Sequence, residues 1–332
     1  MSNGGVTSPG TGGGASPGTG AVVGSGGGSV VGSGGAVGTT GGTTGTAGTV
    51  GAAGSTAGAT GTAGATGAAG SGPTGSGDGA CLDVITDYTK DGPFKVTAKD
   101  VGSIHYYVPG VPSGCKVPVI HLANGTGATC SVYQPALQRL ASNGFLATCY
   151  ENANTGAGTQ GLQAFDTALT TFPDLADYKF GSTGHSQGGQ AAFIVQALAE
   201  QKYGTKAIYA GLAMEPASGF GTQPAGGTWQ SIYGTIKGPM FMFSGLGTDG
   251  LVSQAWVQQA YDAMSKSTEV YFWTAMGATH IPVPNQQEED ISVAWFRWKL
   301  LGDQKACAYF KNIPKTITTW VQVASENEKA CM

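Results

Sequence analysis

From about residue 93 onward, the hydrophobic and polar positions of the chain follow two periods in turn. Short apolar runs of strand length alternate with stretches in which apolar residues recur at helical spacing. An initial hairpin followed by alternating strands and helices predicts an α/β fold, in which a mostly parallel, twisted sheet is flanked by helices on both faces. The predicted strands are residues 93–99, 103–108, 117–122, 145–150, 178–184, 207–214, 240–244 and 270–275, and the predicted helices are residues 133–140, 161–171, 191–201, 252–264 and 291–301.

The first 77 residues show neither period and contain no Asp, Glu, Lys or Arg. They consist almost entirely of Gly, Ser, Thr, Ala, Val and Pro. Such a segment cannot bury enough apolar surface to offset the entropy lost on ordering. We therefore expect residues 1–79 to be a disordered, low-complexity linker and residues 80–332 to form a single α/β domain with a sizeable core.

Charge and hydropathy argue against two classes of partner. The chain has 16 Lys and Arg against 20 Asp and Glu, a formal net charge of −4, so nothing indicates a basic face for nucleic acid. No apolar run reaches the ~18 residues of a membrane-spanning helix, and we predict no transmembrane segment. No signal peptide is recognisable, so we expect that any export signal has been removed or replaced. We expect a monomer.

All six cysteines lie in the predicted domain. None forms a C-x-x-C pair and no histidine lies near them, which argues against a zinc site, and we predict no metal. An even number of cysteines beside such a linker indicates a secreted or cell-surface, disulfide-bonded protein; reduced core cysteines in a cytosolic enzyme are the alternative. The sequence does not determine the pairing. Cys307 with Cys331 is favoured, because this bond would tie down the C-terminus.

Residues 184–188 read GHSQG, a G-x-S-x-G pentapeptide between a predicted strand and a predicted helix. That context is typical of a nucleophile elbow. On such a strained turn the serine hydroxyl is lifted clear of the sheet, and the two glycines allow the backbones to pass closely. The structural alternative is a glycine-rich turn with an incidental serine. We predict that Ser186 is a nucleophile.

A serine hydroxyl needs an imidazole to take its proton and an acid to fix the tautomer of that imidazole. In α/β-hydrolases these residues follow in the order Ser, acid, His. His105 and His121 precede the serine and lie in predicted strands, and His185 is the variable residue of the elbow, pointing away from the hydroxyl. His280 follows the serine, on the loop after the strand predicted at 270–275. It is the predicted base.

The acid must lie between the serine and the histidine. Asp249 is on a loop after the strand predicted at 240–244, where a carboxylate can reach inward. Glu215, directly after the strand predicted at 207–214, is the main rival, since some hydrolases take their acid from that strand end. Asp262 lies within a predicted helix, and we interpret it as solvated. We predict Asp249, with a simple turn aspartate as the structural alternative.

The oxyanion hole should combine two backbone N–H groups. One is that of Gln187, directly after the serine. The other is that of Thr126, on the loop at residues 124–127 (NGTG) that follows a predicted strand. The structural alternative for this loop is an ordinary tight turn.

Several segments taken together resemble one known family. Residues 184–189 look like its elbow, residues 247–251 (GTDGL) its acid loop, and residues 277–280 (GATH) its histidine loop. Other segments resemble the family more weakly. Residues 92–96 and 104–109 are similar to its first two strands, and residues 292–296 to its closing helix. Residues 124–133 and 140–145 look like its oxyanion loop, the helix that follows and the next strand. From residue 92 to 331 the chain therefore resembles the cutinase-like polyester hydrolases. This group includes polyethylene terephthalate hydrolases and is related to dienelactone-hydrolase-type enzymes.

The resemblance implies an α/β-hydrolase fold and an ester carbonyl bound against Thr126 and Gln187, with no cofactor. It also implies a C-terminal disulfide at Cys307 and Cys331. Thr126 stands where the family usually has an aromatic residue, and residues 216–237 are longer than their counterpart. The candidate substrate-binding residues are His185, Leu251 and Ile281, together with Trp229 and Phe220, either of which is alternatively a packing aromatic.

These observations lead to one main hypothesis and two alternatives. The main hypothesis is a secreted serine carboxylesterase that hydrolyses polyester or other bulky esters through an acyl-enzyme, with Ser186, Asp249 and His280 as its triad. The first alternative is a lipase or thioesterase acting on small soluble esters. The second is a non-catalytic surface binding module built on a hydrolase fold.

Overall fold

The structure is a computed structural model that describes residues 81–82, 85–152, 155–219, 224, 227–246, 249–281 and 284–331. The predicted linker, residues 1–79, lies outside the described residues, as does the candidate subsite residue Phe220. None of the helices formed by the described residues has the length and apolar character needed to cross a bilayer.

The described strands form one sheet of nine members. They are β1 Val96–Val101, β2 Ile104–Pro109, β3 Val117–Ala123, β4 Leu146–Tyr150, β5 Ala176–His185, β6 Ile208–Met214, β7 Met240–Leu246, β8 Val270–Met276 and β9 Trp320–Glu326. Their order across the sheet is β1-β2-β4-β3-β5-β6-β7-β8-β9. Strands β3 to β8 pair in parallel, whereas β1, β2 and β9 pair antiparallel at the two edges. The mostly parallel sheet predicted from the sequence is confirmed.

Helices flank this sheet, as the alternating strand pattern predicts. They are α1 Gln134–Ser142, α2 Thr159–Thr171, α3 Gln187–Tyr203, α4 Trp229–Tyr233, α5 Gln254–Ala263, α6 Gln286–Leu301 and α7 Gln304–Thr316, with short 3-10 turns at Cys130–Tyr133 and Gly204–Lys206. Adjacent residues of β3 enter different clusters: Val119 packs in a cluster with Phe165 of α2, and Ile120 in a cluster with Phe296 of α6. Because successive side chains of a strand point to opposite faces, both faces of the sheet are covered by apolar packing.

The C-terminal part of the chain differs from the prediction. The helix α6 begins at Gln286 rather than at residue 291, because Asn285 and Glu288 form a capping box at its start. Helix α7 and strand β9 were not predicted. The side chain of Asp303 caps α7, and β9 is an edge strand of mostly exposed or half-buried residues, so it lacks the buried run that marks the central strands.

All six cysteines are placed as three disulfide pairs. The predicted pair Cys307–Cys331 is confirmed, with its Cα atoms 5.7 Å apart. Cys81 pairs with Cys115, and Cys130 with Cys149. The last of these ties the turn that precedes α1 to strand β4, so it braces the loop predicted to carry the oxyanion hole.

Candidate active site

Ser186 lies on the sharp turn between β5 and α3. Its φ of +58° is in the left-handed region that non-glycine residues rarely adopt, and its N–H donates to the carbonyl of Met214 at 3.0 Å. A Cβ at Gly184 would lie 2.2 Å from the carbonyl oxygen of Gly188, and one at Gly188 would lie 2.0 Å from that of Ala123. Since backbone atoms cannot move aside, both glycines are required. This is the strand–turn–helix arrangement of a nucleophile elbow.

His280 follows β8 and is 8% exposed. Its Nδ1 lies 2.9 Å from Oδ2 of Asp249, whose other carboxylate oxygen accepts the N–H groups of Leu251 and Val252 at 2.8 and 2.9 Å. The Asp249 carboxylate is therefore fixed by its own loop and directed at the imidazole. An imidazole that donates from Nδ1 to a carboxylate keeps the lone pair of Nε2 free to accept a proton.

The pKa values of His280 and Asp249 are both shifted in the direction that favours a protonated imidazole beside an ionised carboxylate. Burial would lower the pKa of His280, but the adjacent carboxylates of Glu215 and Asp249 outweigh it and hold that pKa above its usual value. Burial would raise the pKa of Asp249, yet the hydrogen bonds from Val252, His280 and Leu251 together hold it below its usual value. The imidazole is thus more basic than an ordinary histidine.

Glu215, the rival acid, reaches the same ring nitrogen. Its Oε2 lies 3.1 Å from Nδ1 of His280, and the side chain is fully buried. The prediction treated Glu215 and Asp249 as alternatives, whereas the structure brings both carboxylates to one imidazole. The strand order explains this, since β6 and β7 are parallel neighbours and their carboxyl ends meet at the same edge of the sheet.

Ser186 and His280 line the same pocket, which has a volume of about 780 Å³. Within the part of the chain that the structure describes, the Ser186 hydroxyl makes no hydrogen bond to the His280 ring. In enzymes without a bound substrate such catalytic hydrogen bonds are often long and tighten only when the substrate is present. The shared pocket brings the serine and the imidazole to the same site.

The loop after β3 is held in place by side chains on both sides. The Asn124 amide donates to the carbonyls of Gly125, Ala128 and Asn152 at 3.0, 2.8 and 2.7 Å. The N–H of Gly125 donates to the hydroxyl of Tyr133 at 3.0 Å. Thr126, the predicted oxyanion residue, lies on this loop, is exposed and lines the pocket. A loop fixed in this way can present an N–H to a ligand without reorganising.

Gln187, the second predicted oxyanion residue, is the first residue of α3 and directly follows Ser186. The first N–H groups of a helix have no intrahelical acceptor, so they are free for a ligand. Gln187 thus begins the helix directly after the serine, and Thr126 lines the same pocket as the serine.

His185 was predicted to bind substrate, and the structure gives it a second set of contacts. It lines the pocket but is only 5% exposed. Its Nδ1 lies 2.9 Å from the Tyr133 hydroxyl, and its ring centroid is 4.5 Å from that of His280. Because the Tyr133 oxygen already accepts the Gly125 N–H, its own proton is available for Nδ1 of His185. No sequence signal indicated this, since the three residues meet only in the folded chain.

The pocket walls are largely apolar. Leu251 and Ile281, both predicted to bind substrate, line it and are 66% and 70% exposed, and Val132 beside them is 59% exposed. Trp229 is not among the lining residues; it is 6% exposed and packs against Tyr233 in the core. Trp256 of α5 and Tyr133 do line the pocket, and neither was predicted from the sequence to do so. The sequence pattern of an amphipathic helix does not show whether a tryptophan on its apolar face packs in the core or lines a pocket.

Two clusters in the described residues bring potential metal ligands together. His185, Glu215 and His280 offer one ligand atom each within 4.8 Å of one another. His105, Cys130 and Glu151 form the second cluster, but Cys130 is bonded to Cys149 and has no thiolate to offer. The first cluster consists of the two imidazoles and the Glu215 carboxylate described above.

Comparison of the chain with protein-family models and with curated proteins returned no match. The function is therefore argued from the geometry and chemistry of the site itself.

Proposed function

We propose that this chain is a serine carboxylesterase with an α/β-hydrolase fold that hydrolyses bulky, apolar esters, polyesters among them. One observation carries the proposal. Ser186, on its strained turn, shares a pocket with His280, and the Nδ1 of that imidazole lies 2.9 Å from a buried carboxylate oxygen of Asp249. A nucleophile, a base and an orienting acid from three separate loops are the parts that acyl transfer requires.

The positions of these residues along the sheet support the fold assignment. The serine follows β5, Asp249 follows β7 and the histidine follows β8, so the chain order is Ser, Asp, His. The candidate oxyanion loop follows β3. α/β-Hydrolases have this order, this elbow and an oxyanion N–H from the loop after their third strand.

In the proposed reaction, the Ser186 oxygen attacks the ester carbonyl carbon while Nε2 of His280 takes the hydroxyl proton. The resulting imidazolium is stabilised by Asp249 at Nδ1. The tetrahedral intermediate collapses, and the alcohol leaves with the proton from Nε2. Water then attacks the acyl-enzyme, again losing its proton to His280, and the carboxylic acid is released with the serine restored.

The carbonyl oxygen of the substrate becomes negative in both tetrahedral intermediates. The N–H groups of Gln187 and Thr126 are the donors that we assign to it. Removing one such donor typically lowers the rate by ~10²–10³-fold. The donors act through backbone atoms, so side-chain substitution at either residue tests the pocket wall more than the oxyanion hole.

The pocket supports an apolar substrate. Its rim carries the exposed apolar side chains of Val132, Leu251 and Ile281, and Trp256 lines its wall. Apolar residues clustered on a surface mark binding sites, because a soluble protein otherwise limits such patches. A rim of this kind suits a long or insoluble ester that stays partly outside the pocket. Three disulfides are typical of a protein exported to an oxidising compartment.

The test is reaction of the full chain with a fluorophosphonate probe together with hydrolysis of p-nitrophenyl butyrate. We expect rapid labelling and turnover, both abolished by Ser186→Ala. The matched control is Ser131→Ala, because Ser131 is an exposed serine on the turn before α1 and its hydroxyl contacts only that of Thr129. Equal labelling of the wild type and Ser186→Ala would exclude the proposal and favour a binding module without catalysis.

Substrate size separates the proposal from a lipase or thioesterase acting on small esters. Release of acid from a polyester film should fall when Leu251 and Ile281 are both changed to Ser, while turnover of p-nitrophenyl acetate changes little. Loss of activity on both substrates in equal measure would place these residues in general catalysis or stability, not in binding of the bulky ester.

A further inference from the structure

Glu215 occupies an unusual position at the end of β6. It is one of three described non-glycine residues with positive φ, at +46°, and Ser186 is another. Its N–H donates to the carbonyl of Phe243 on β7 at 2.9 Å. A residue persists in this strained region only where its surroundings fix it, and such residues cluster at functional sites.

The carboxylate of Glu215 lies between two imidazoles. Its Oε2 is 3.1 Å from Nδ1 of His280 and 3.7 Å from Nε2 of His185. No exposed surface remains on the residue. Among the described residues, neither of its oxygens has a well-aligned hydrogen-bond donor. A buried carboxylate without aligned donors depends on nearby positive charge, and the adjacent imidazoles are the groups placed to carry it.

Asp249 approaches the same nitrogen differently. Both of its oxygens are engaged, one by two backbone N–H groups of its own loop and one by His280. Asp249 therefore holds the ring by a directional hydrogen bond. Glu215 lies at nearly the same distance from Nδ1 but off the N–H direction, so its effect on the ring is mainly electrostatic.

From this geometry we infer that Glu215 is a second positioning carboxylate for His280, which stabilises the imidazolium alongside Asp249 and holds the ring if Asp249 is lost. The inference rests on the proposed function. During acyl transfer His280 becomes positively charged, and a negative charge 3.1 Å from its Nδ1 lowers the energy of that state more than of the resting state. Glu215 touches neither substrate nor serine, and it acts through the imidazole.

The charged groups around Glu215 are consistent with this role. His185 and His280 face it directly, and Asp249 approaches the same Nδ1 at 2.9 Å. Glu288 of α6 is the further acidic neighbour; burial raises its pKa to about 8, and the charge of Glu215 adds to that shift. The raised pKa favours the uncharged form of Glu288, so this carboxyl competes less with Glu215 for the positive charge of the imidazole.

The experiment compares Asp249→Asn, Glu215→Gln and the double variant in the full chain, with p-nitrophenyl butyrate as substrate. Where a single acid orients the base, its change to an amide lowers kcat by about 10⁴-fold. Here we expect Asp249→Asn to lower kcat/KM by only about 10–100-fold. Glu215→Gln alone should lower kcat/KM by less than about 10-fold, so the product of the two single losses stays below about 10³-fold, whereas the double variant should lose about 10⁴-fold.

The pH profile distinguishes positioning from a merely structural role. Removing the Glu215 charge lowers the pKa of His280, so Glu215→Gln should move the rising limb of kcat/KM to lower pH by about one unit. The control Glu200→Gln also removes a partly buried carboxylate that accepts backbone N–H groups, but far from the pocket. Glu200→Gln should not change the pH at which kcat/KM rises, even if the substitution lowers the thermal stability.

The outcomes separate the two proposals. If Ser186 turns over the ester but Asp249→Asn alone removes about 10⁴-fold, and Glu215→Gln does not move the pH profile, the second carboxylate is refuted and the esterase stands. If Glu215→Gln fails to fold, the size of the Asp249→Asn loss still decides. If the wild type neither labels nor hydrolyses the ester, both proposals fail.

Discussion

The phenolic oxygen of Tyr133 lies 2.9 Å from Nδ1 of His185, and the same oxygen accepts the N–H of Gly125 at 3.0 Å. One hydroxyl thus joins the residue before the candidate nucleophile to the loop that carries Thr126. Tyr133 is buried, so neither partner can turn to water instead.

Tyr133→Phe should lower kcat with little change in KM. The Gly125 N–H loses its acceptor inside the protein, which costs about 1–3 kcal/mol, and the oxyanion loop loses one of its anchors. We expect kcat for p-nitrophenyl butyrate to fall by about 10–100-fold. Tyr178→Phe is the control, because Tyr178 is 47% exposed near the start of β5. Unchanged kcat in Tyr133→Phe would show that the loop is fixed without this hydroxyl.

Gly188→Ala should prevent folding or destabilise the protein severely. The added Cβ would lie 2.0 Å from the carbonyl oxygen of Ala123, a backbone atom of a central strand that cannot move aside. We expect thermal unfolding to move down by about 10 °C or more. At Gly234 the nearest atom to an added Cβ is 3.5 Å away, so Gly234→Ala is the matched control and should unfold near the wild-type temperature. A Gly188→Ala variant as stable as the control would contradict the packing of the elbow.

The activity should rise with pH through a midpoint above 6.5, the ordinary pKa of histidine, because the carboxylates beside His280 outweigh its burial and raise its pKa. The base must be neutral to accept the serine proton, so the rate is low below this midpoint. The measurement is kcat/KM from pH 5 to 9, with an NMR titration of His280 in Ser186→Ala as the direct check. A midpoint below 6.5 would mean that burial dominates.

The same two groups contribute to stability in opposite pH ranges. His280, with its pKa raised on folding, contributes stability that is complete below pH 6.5 and is lost as the pH rises through its folded value. Asp249, with its pKa lowered, contributes stability above its unfolded value of 3.8 that is lost as the pH falls through its folded value. The measurement is the free energy of unfolding by denaturant, for the wild type and for Asp249→Asn, across a range of pH. The difference in this free energy between the two proteins should become smaller as the pH falls. A difference that stays constant down to pH 2 would contradict the shift of Asp249.

Two disulfides allow a matched test of how the oxyanion loop is supported. Cys130–Cys149 and Cys307–Cys331 close loops of similar length, with sequence separations of 19 and 24. Changing either pair to Ala should lower the free energy of unfolding by about 3 kcal/mol. Loss of Cys130–Cys149 should also lower kcat, since this bond braces the turn that ends at Tyr133. Equal kcat in both double variants would show that the Cys130–Cys149 disulfide does not affect the geometry of the candidate site.

The sequence predicts the central part of this molecule better than its edges. Buried strands such as β3 and β8 are continuous apolar runs, and their bounds were found to within a residue or two. Strand β9 has mostly exposed or half-buried residues and shows no strong period. Helix α7 does bury apolar residues at helical spacing, Ala306, Cys307, Phe310 and Ile313, so its period was present in the sequence and was missed.

Within the site, residues that depend on a local motif could be found from the sequence, and those that depend on tertiary neighbours could not. Ser186 was chosen as the candidate nucleophile from its pentapeptide, and His280 as the candidate base from its place after a strand. The position of Glu215 beside Asp249 depends on the pairing of β6 with β7, and the contact of His185 with Tyr133 spans 52 positions. Trp229 and Trp256 both lie on helices, and only packing places Trp229 in the core and Trp256 at the pocket.

Activation of the Ser186 hydroxyl for acyl transfer is tested by following the first turnover of p-nitrophenyl butyrate with rapid mixing and then mapping the peptides of the trapped protein. We predict a burst that approaches one equivalent of p-nitrophenol per chain, with the butyryl group on Ser186, and its loss in His280→Ala. No acylated protein under conditions where the ester is consumed, or an acyl group attached to another residue, would contradict the account.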